Sequence, residues 1–427
     1  MILLAVALLW AQETSSWTLQ QVLDRTLEAN SDARRAELGV TIAAIDARRA
    51  RLDAYTTGLS VRAGTETGLV KPWEEEVQRL SEASWDTRLG VEVPIWTGGA
   101  RAAAVDRADG LAELASVDQS LTVRSLQRAA YTAYWNVKGQ ELLLAATDEG
   151  IGVSERSLQI IRAKASAGLG TGIDVNRATV EIHGLRASRL AQENALYGAE
   201  QELIQLLNIR DTRLVLTDAP PDPGETPPPV SEEALASRAE LQRWESELRI
   251  AESDVRAARA GRLPTLALTG TLGASGLTAG ETLDAVDLRP SLDTSVGLQL
   301  TWTPFSLFRV RDAVEVARLR ASQLEQSREG ERTALAVELR QAAFRVDSLR
   351  RQVSAVDAQA ELARENLGIV EGLYRQGNVG ILDLFDASAA FRQARTEAAS
   401  RRVELATAEC DLRWMLGENP AKALGTP

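Results

Sequence analysis

The sequence predicts a membrane protein of the α+β class, written as two copies of one unit that combines long helices with short amphipathic strands. Three observations predict it. Residues 335–374, slid back by about 209 positions, land on residues 126–165 with the same apolar spacing. In each copy an apolar stripe keeps heptad spacing far past the length of a globular helix. Between helices the apolar period changes from helical to two, in stretches of about ten residues, as in strands that wall a membrane barrel. A repeat this long makes each half one structural unit.

Composition narrows the class. Aromatic residues are scarce at 4%, and Ala, Leu, Arg, Glu and Gln dominate, which suits long helices better than a thick core. The net charge of −12 offers no basic stripe to neutralise phosphates, so nucleic acid is excluded as a partner. No apolar run approaches the length of a transmembrane helix.

The elements follow in order. Residues 1–11 form a short apolar run ending in a small residue, like the central part of a secretory signal. A buried terminal helix is the competing reading; the polar stretch Gln12–Ser16, which follows at once, favours the signal. The run lacks a basic start, so a truncated beginning is expected. The first repeat covers 12–209: a helix over 18–55, strands over 57–67 and 85–94, then helices over 100–166 and 173–208. In the strands Leu59, Val61 and Ala63 alternate with polar or small residues, as do Leu89, Val91 and Val93. Residues 210–231 are a stiff Pro-rich connector, with Pro220, Pro221, Pro223 and Pro227–Pro229. The second repeat covers 232–417: a helix over 232–261, strands over 264–274 and 292–303, then helices over 311–375 and 381–416. Leu266 and Leu268 alternate in the first of these strands, and Val296, Leu298, Leu300 and Trp302 in the second. Pro94 and Pro304 are expected to end the second strand of each pair. The turn-rich stretches Gly68–Ala83 and Gly276–Pro290 read as surface loops, and 418–427 as a tail.

The seam of the second copy runs through Leu335, Leu339, Val346, Leu349, Val353 and Leu367 to Tyr374. Its counterpart runs from Leu126 to Ala165 and is weaker, with Gln140, Thr147 and Ser154 in polar places. Helices of this length must pack side by side with others. A half-buried strand in a soluble sheet alternates just as a barrel strand does. The signal-like run, and the lack of a helix placed to cover the apolar face, decide for the membrane. Four strands cannot close a barrel. An open edge in lipid leaves backbone groups unpaired at several kcal/mol each. The chain must therefore oligomerise. Two copies would give a minimal barrel with little lumen, and three would give room for a channel.

The residues that lead from one helix to the next carry a resemblance. Gly168-Leu169-Gly170-Thr171-Gly172-Ile173-Asp174-Val175 aligns with Gly377-Asn378-Val379-Gly380-Ile381-Leu382-Asp383-Leu384, Gly on Gly and Asp on Asp. The second run is preceded by Tyr374-Arg375-Gln376 and continues to Asp386-Ala387; Asn208 and Gly417 close the two repeats. With the repeated order of helix, two strands and two long helices, the chain resembles the outer membrane efflux proteins of the TolC type. The resemblance implies a homotrimer with a twelve-stranded β-barrel in the outer membrane, four strands per chain, continued by a coiled-coil helical barrel across the periplasm. It implies a duct for tripartite efflux or type I secretion, docked on a periplasmic adaptor (membrane fusion) protein and an inner-membrane pump. No catalytic residue, cofactor or metal is implied. Asp383 and Asp386 match the positions that constrict the tunnel entrance, and Asp174 and Tyr374 those that hold the tips closed. Gly168, Gly170, Gly172, Gly377 and Gly380 shape the turns. One departure stands out: the position two after the tip glycine, basic in the family pattern, is Val379 here.

Residues alone also admit plainer roles. Asp383 and Asp386 suit a helix start electrostatically, Asp174 suits a helix cap, and Tyr374 is the last seam residue of its helix. Gly168–Gly172 lacks the lysine and the preceding strand of a phosphate loop. His183 is the only histidine and reads as an exposed helix residue. Cys410, the only cysteine, reads as a small apolar helix residue. The rival to a duct is a soluble periplasmic coiled-coil scaffold or adaptor, which would bury Leu59, Val61, Leu89, Val91, Leu266, Leu268, Leu298 and Leu300 against its own chain.

Overall fold

The computed structural model describes residues 15–55, 58–68, 82–209, 214–221, 238–278, 291–304 and 307–421. The signal-like run, most of both turn-rich stretches and most of the Pro-rich connector lie outside the described residues. The elements are β1 (Ser15–Trp17), α1 (Leu19–Ala29), α2 (Ser31–Tyr55), β2 (Gly58–Gly68), β3 (Glu82–Trp96), α3 (Ala100–Ser166) and α4 (Gly172–Leu207). The second half holds β4 (Leu214–Leu216), α5 (Ala239–Ala260), β5 (Thr265–Thr278), β6 (Ser291–Thr301), α6 (Leu307–Gln376) and α7 (Ile381–Met415). The chain divides into two compact units. One spans Leu38–Val117 and Gln242–Glu329; the other spans Met1–Glu37, Asp118–Leu241 and Gly330–Pro427.

The first unit carries the sheet. Its order is β2-β3-β5-β6, all antiparallel, so the hairpin of one repeat pairs with the hairpin of the other through β3 and β5. The register sets apolar residues in rows on one face. Val61 stands opposite Leu89 and Leu89 opposite Leu272; Val93 stands opposite Leu268 and Leu268 opposite Leu298; Leu266 stands opposite Leu300. Among the described residues that face is open at β6, where Val296, Leu298 and Leu300 are 79%, 67% and 65% exposed. The scaffold alternative required burial there, and it fails on these residues. The opposite face is polar, with Thr271 and Ser295 hydroxyls joined at 2.7 Å. Pro94 does not end its strand as expected. The ladder shifts register between Pro94 and Trp96 and continues, because a bulge accommodates a residue that has no N–H to donate. Among the described residues no helix is long and apolar enough to cross a membrane.

The other unit is helical, and its heptad seam is real. Leu339, Val346, Val353 and Leu367 of α6 are buried, as are Ala130, Val137, Leu158 and Ile161 of α3. The largest core side chains lie partly off the seam. Tyr131, Tyr134 and Trp135 are fully buried, and the Tyr134 and Trp135 rings meet edge to face at 5.5 Å. Each polar end is satisfied. Tyr134 donates to Asp218 at 2.9 Å, Tyr131 donates to Asp411, and Trp135 Nε1–H donates to the Cys410 sulfur at 3.3 Å. Burial, then the Asp411 contact, pushes the Tyr131 phenol far above its usual range.

Two local features depart from the expected pattern. The expected single helix over 18–55 is two helices. Asn30 has extended backbone (φ −72°, ψ 135°), and its side-chain oxygen accepts the Asp32 N–H at 2.7 Å. An asparagine that caps the next helix competes with helix continuation. The expected connector also holds a strand: Leu214–Leu216 pairs in parallel with Ser15–Trp17. Three-residue strands carry too short an alternation to read from sequence. The tail begins against the core, where Ala421 is buried.

Two outcomes are expected. Cys410 is buried, and burial pushes its thiol up to about 12. It should resist a thiol reagent at pH 8 in the folded protein, and one equivalent should react in denaturant. Second, Arg350 grips Glu409 through two donors at 2.8 and 2.7 Å, with side chains only 10% and 4% exposed. Glu409→Leu should cost roughly 3–5 kcal/mol because it strands a buried guanidinium, and adding Arg350→Met should recover part of it. Unfolding followed by circular dichroism in detergent measures both.

Candidate functional site

The site expected from sequence is the pair of turns that join α3 to α4 and α6 to α7. Both turns stop a helix in the same way. Gly168 and Gly377 have φ of +77° and +84°, a region that L side chains rarely adopt. Around them Leu169 N–H reaches Lys164 O at 2.9 Å and Asn378 N–H reaches Leu373 O at 3.0 Å. These bonds satisfy carbonyls that a helix end leaves open. The next helices start differently. Thr171 caps α4: its hydroxyl accepts the Asp174 N–H at 3.3 Å, and the Asp174 carboxylate accepts the Thr171 N–H at 3.1 Å and hydroxyl at 2.7 Å. At α7 the cap is Gly380, which has no side chain, and only the return bond exists, from Gly380 N–H to Asp383 at 2.8 Å.

So the structure gives Asp174 and Asp383 the capping contacts their position suggests. Thr171 hydrogen bonds hold the Asp174 carboxyl below its usual range. Asp386 sits one turn further along α7, and both Asp383 and Asp386 are exposed. Gly170 closes the first turn tightly, since a Cβ there would lie 3.2 Å from Ala165 N. A Cβ at Gly172 would meet nothing, so that position is free of a packing demand.

The two turns come together over one apolar cluster. Ile161, Ile182, Leu367, Tyr374, Leu384 and Phe391 are buried in it, drawn from all four helices. Val379 packs against the same cluster, which explains how the tip tolerates an aliphatic residue there. Burial, and then the Asp174 charge, raises the Tyr374 phenol above its usual range.

Sequence reasoning missed the charges that tie one hairpin to the other. The Lys164 ammonium donates to the Tyr374 carbonyl and lies 4.2 Å from the centre of the Tyr374 ring. Glu149 of α3 accepts Arg364 of α6 at 2.7 Å and Arg395 of α7 at 2.9 Å. Arg392 of α7 pairs with Glu181 of α4 at 2.6 Å and donates to Ser154 of α3 at 3.2 Å. Gly150 allows this approach: a Cβ there would fall 2.8 Å from the Arg392 side chain. The repeat gave no signal for these pairs, because they link unlike positions of the two copies. Among the described residues no cluster of His, Cys, Asp and Glu could hold a metal.

The chain thus combines a four-stranded sheet, whose apolar face is open at β6 among the described residues, with two helical hairpins. The family model for outer membrane efflux proteins matches residues 29–208 and again 230–418, and the chain belongs to that family. Among similar proteins, outer membrane protein OprJ of Pseudomonas aeruginosa is 25% identical over 86% of this chain and 77% of its own length. Outer membrane protein TolC of Escherichia coli is 24% identical over 73% of this chain and 66% of its own. The solved outer-membrane channel OprN superposes with a TM-score of 0.80 at 22% identity, over 94% of this chain and 90% of that one. The protein is thus an efflux channel component of the outer membrane, with its helical part in the periplasm.

Glu149 supplies a test of the inter-hairpin charges. Burial alone would raise its carboxyl, but Arg364 and Arg395 overcome that and lower it. Its contribution is therefore full above the ordinary carboxylate range and is lost as pH falls below it. Glu149→Gln should cost roughly 1 kcal/mol at pH 7. The gap between wild type and variant in thermal midpoint should close as pH falls towards about 3; a gap independent of pH would contradict the assignment.

Proposed function

We propose that three copies of this chain assemble into one exit duct, with twelve strands as its barrel and the paired hairpins as its periplasmic tunnel. The observation that carries this is the sheet. Its edge strands β2 and β6 have no further partner among the described residues, and its exposed apolar face suits lipid. Backbone groups cannot stay unpaired in a bilayer, so neighbouring copies must complete the ladder. Closed rotational symmetry supplies the same edge-to-edge contact at every junction.

In this reading the duct does no chemistry. It passively conducts what an inner-membrane pump expels, and a periplasmic adaptor joins the two. Membership of the efflux family supports that setting. Asp383 and Asp386 line the tunnel entrance. Both lie exposed, Asp383 in the first turn of α7 and Asp386 one turn further on, and threefold symmetry would bring six carboxylates together, favouring cations at the mouth. Asp174 and Tyr374 act as gating contacts at the tips; Asp174 caps the helix that follows the first turn, and Tyr374 is buried in the cluster beneath both turns.

Purified in detergent, the protein should run as a trimer that resists mild heating. In planar bilayers multivalent cations should block its current, and Asp383→Ala with Asp386→Ala should weaken that block at least tenfold. A monomer soluble without detergent would refute the duct; unchanged block would remove the two aspartates from the entrance.

A further inference from the structure

We propose that the helix-side end of the sheet is a binding collar for anionic phospholipid headgroups, in which Trp96 and Trp302 sit at the interfacial depth and Arg262, Arg309 and Arg311 take the phosphate. The inference rests on the outer-membrane placement of the sheet and names a ligand at its periplasmic boundary.

A bulge builds the first part of the collar. Along β3, Leu89, Val91 and Val93 share one face, so strict alternation would put Ile95 next on it and turn Trp96 away. The register shift between Pro94 and Trp96 inserts one residue. Trp96 therefore stands opposite Leu266, and Leu266 opposite Leu300, within the apolar rows. Trp302 continues the alternation of Leu298 and Leu300 one step beyond the ladder. Trp96 and Trp302 are 44% and 53% exposed, and Phe308 just beyond is 80% exposed. An indole has an apolar body and a polar N–H, and such rings collect where hydrocarbon meets headgroups.

Three close approaches bring the strand ends and helix ends together. Trp302 Nε1–H donates to the Arg262 carbonyl at 3.4 Å. A Cβ at Gly98 would lie 2.9 Å from the Leu263 side chain, and one at Gly261 would lie 3.5 Å from Val310. Arg262 is thus held beside the indole by its own backbone, and Arg309 and Arg311 flank the valine that packs on Gly261. All three arginines are exposed, and no guanidinium among them has a partner among the described residues. In the same unit Arg51, Arg107, Arg249 and Arg256 each pair with a carboxylate. Asp312 is the acidic neighbour and leaves the collar net positive, in a chain whose net charge is −12. Guanidinium groups match phosphate oxygens in charge and shape. A phospholipid satisfies every part at once: acyl chains on the leucine rows, the glycerol level at the indoles, the phosphate at the arginines.

Tryptophan fluorescence of the full-length oligomer in vesicles tests this. The vesicles are equimolar phosphatidylcholine and phosphatidylglycerol, with bromine on the acyl chains of one lipid or the other as quencher. Brominated phosphatidylglycerol should compete for the tryptophans roughly fivefold better than brominated phosphatidylcholine. Arg262→Gln with Arg309→Gln and Arg311→Gln should abolish that preference, and the three corresponding Lys substitutions should keep it. Trp96→Phe with Trp302→Phe should remove the preferential part of the quenching, because those two indoles report on the collar. Inorganic phosphate should displace the lipid no more than chloride does at equal ionic strength. The heat-resistant oligomer checks assembly of each variant. Equal quenching by the two lipids in wild type, a preference that persists in the assembled triple Gln variant, or specific displacement by phosphate would overturn the collar and leave the membrane placement intact. If no brominated lipid quenches any tryptophan of the wild type, the sheet is not in the bilayer, and the membrane reading falls together with the collar.

Discussion

The constraint on which the rest depends is the backbone of the sheet. Four antiparallel strands in the order β2-β3-β5-β6 leave two edges without a strand partner among the described residues. In water such edges would be a liability, and in lipid they cannot persist. The outward rows make the setting plain. Leu266 opposite Leu300, and Leu268 opposite Leu298, place leucines side by side on a face that is open at β6 among the described residues.

The helical unit shows how a repeat can give symmetry without sameness. The two hairpins stop at equivalent glycines and use the same pattern of terminal hydrogen bonds. Their starts differ, because Thr171 supplies a side-chain cap and Gly380 cannot. Their inner contacts differ more. Glu149 collects arginines from both helices of the second hairpin, and Arg392 returns the link to Glu181. Partly exposed pairs of this kind contribute little to stability one by one. Their effect is on which hairpin holds which.

Most of the architecture was legible. Heptad spacing located the long helices, and α3 begins and ends at the expected residues. Period-two alternation located all four strands of the sheet to within a few residues. Gly168 and Gly377 were legible because a positive φ restricts the residue type. The break at Asn30 was not, since the apolar pattern continues across it and only the side-chain cap ends the helix. Nor was the pairing of β1 with β4, which rests on three residues at each end of a connection across the first repeat.

By itself the sequence determined the elements, their repeat and the faces they present. Those depend on spacing along the chain, which periodicity records directly. Only the tertiary structure decided which unlike positions meet: Lys164 with Tyr374, Glu149 with Arg364 and Arg395, and Trp135 with Cys410. Such contacts depend on how helices turn against one another, and a few degrees of rotation about a helix axis changes the partner while leaving the pattern along each helix unaltered.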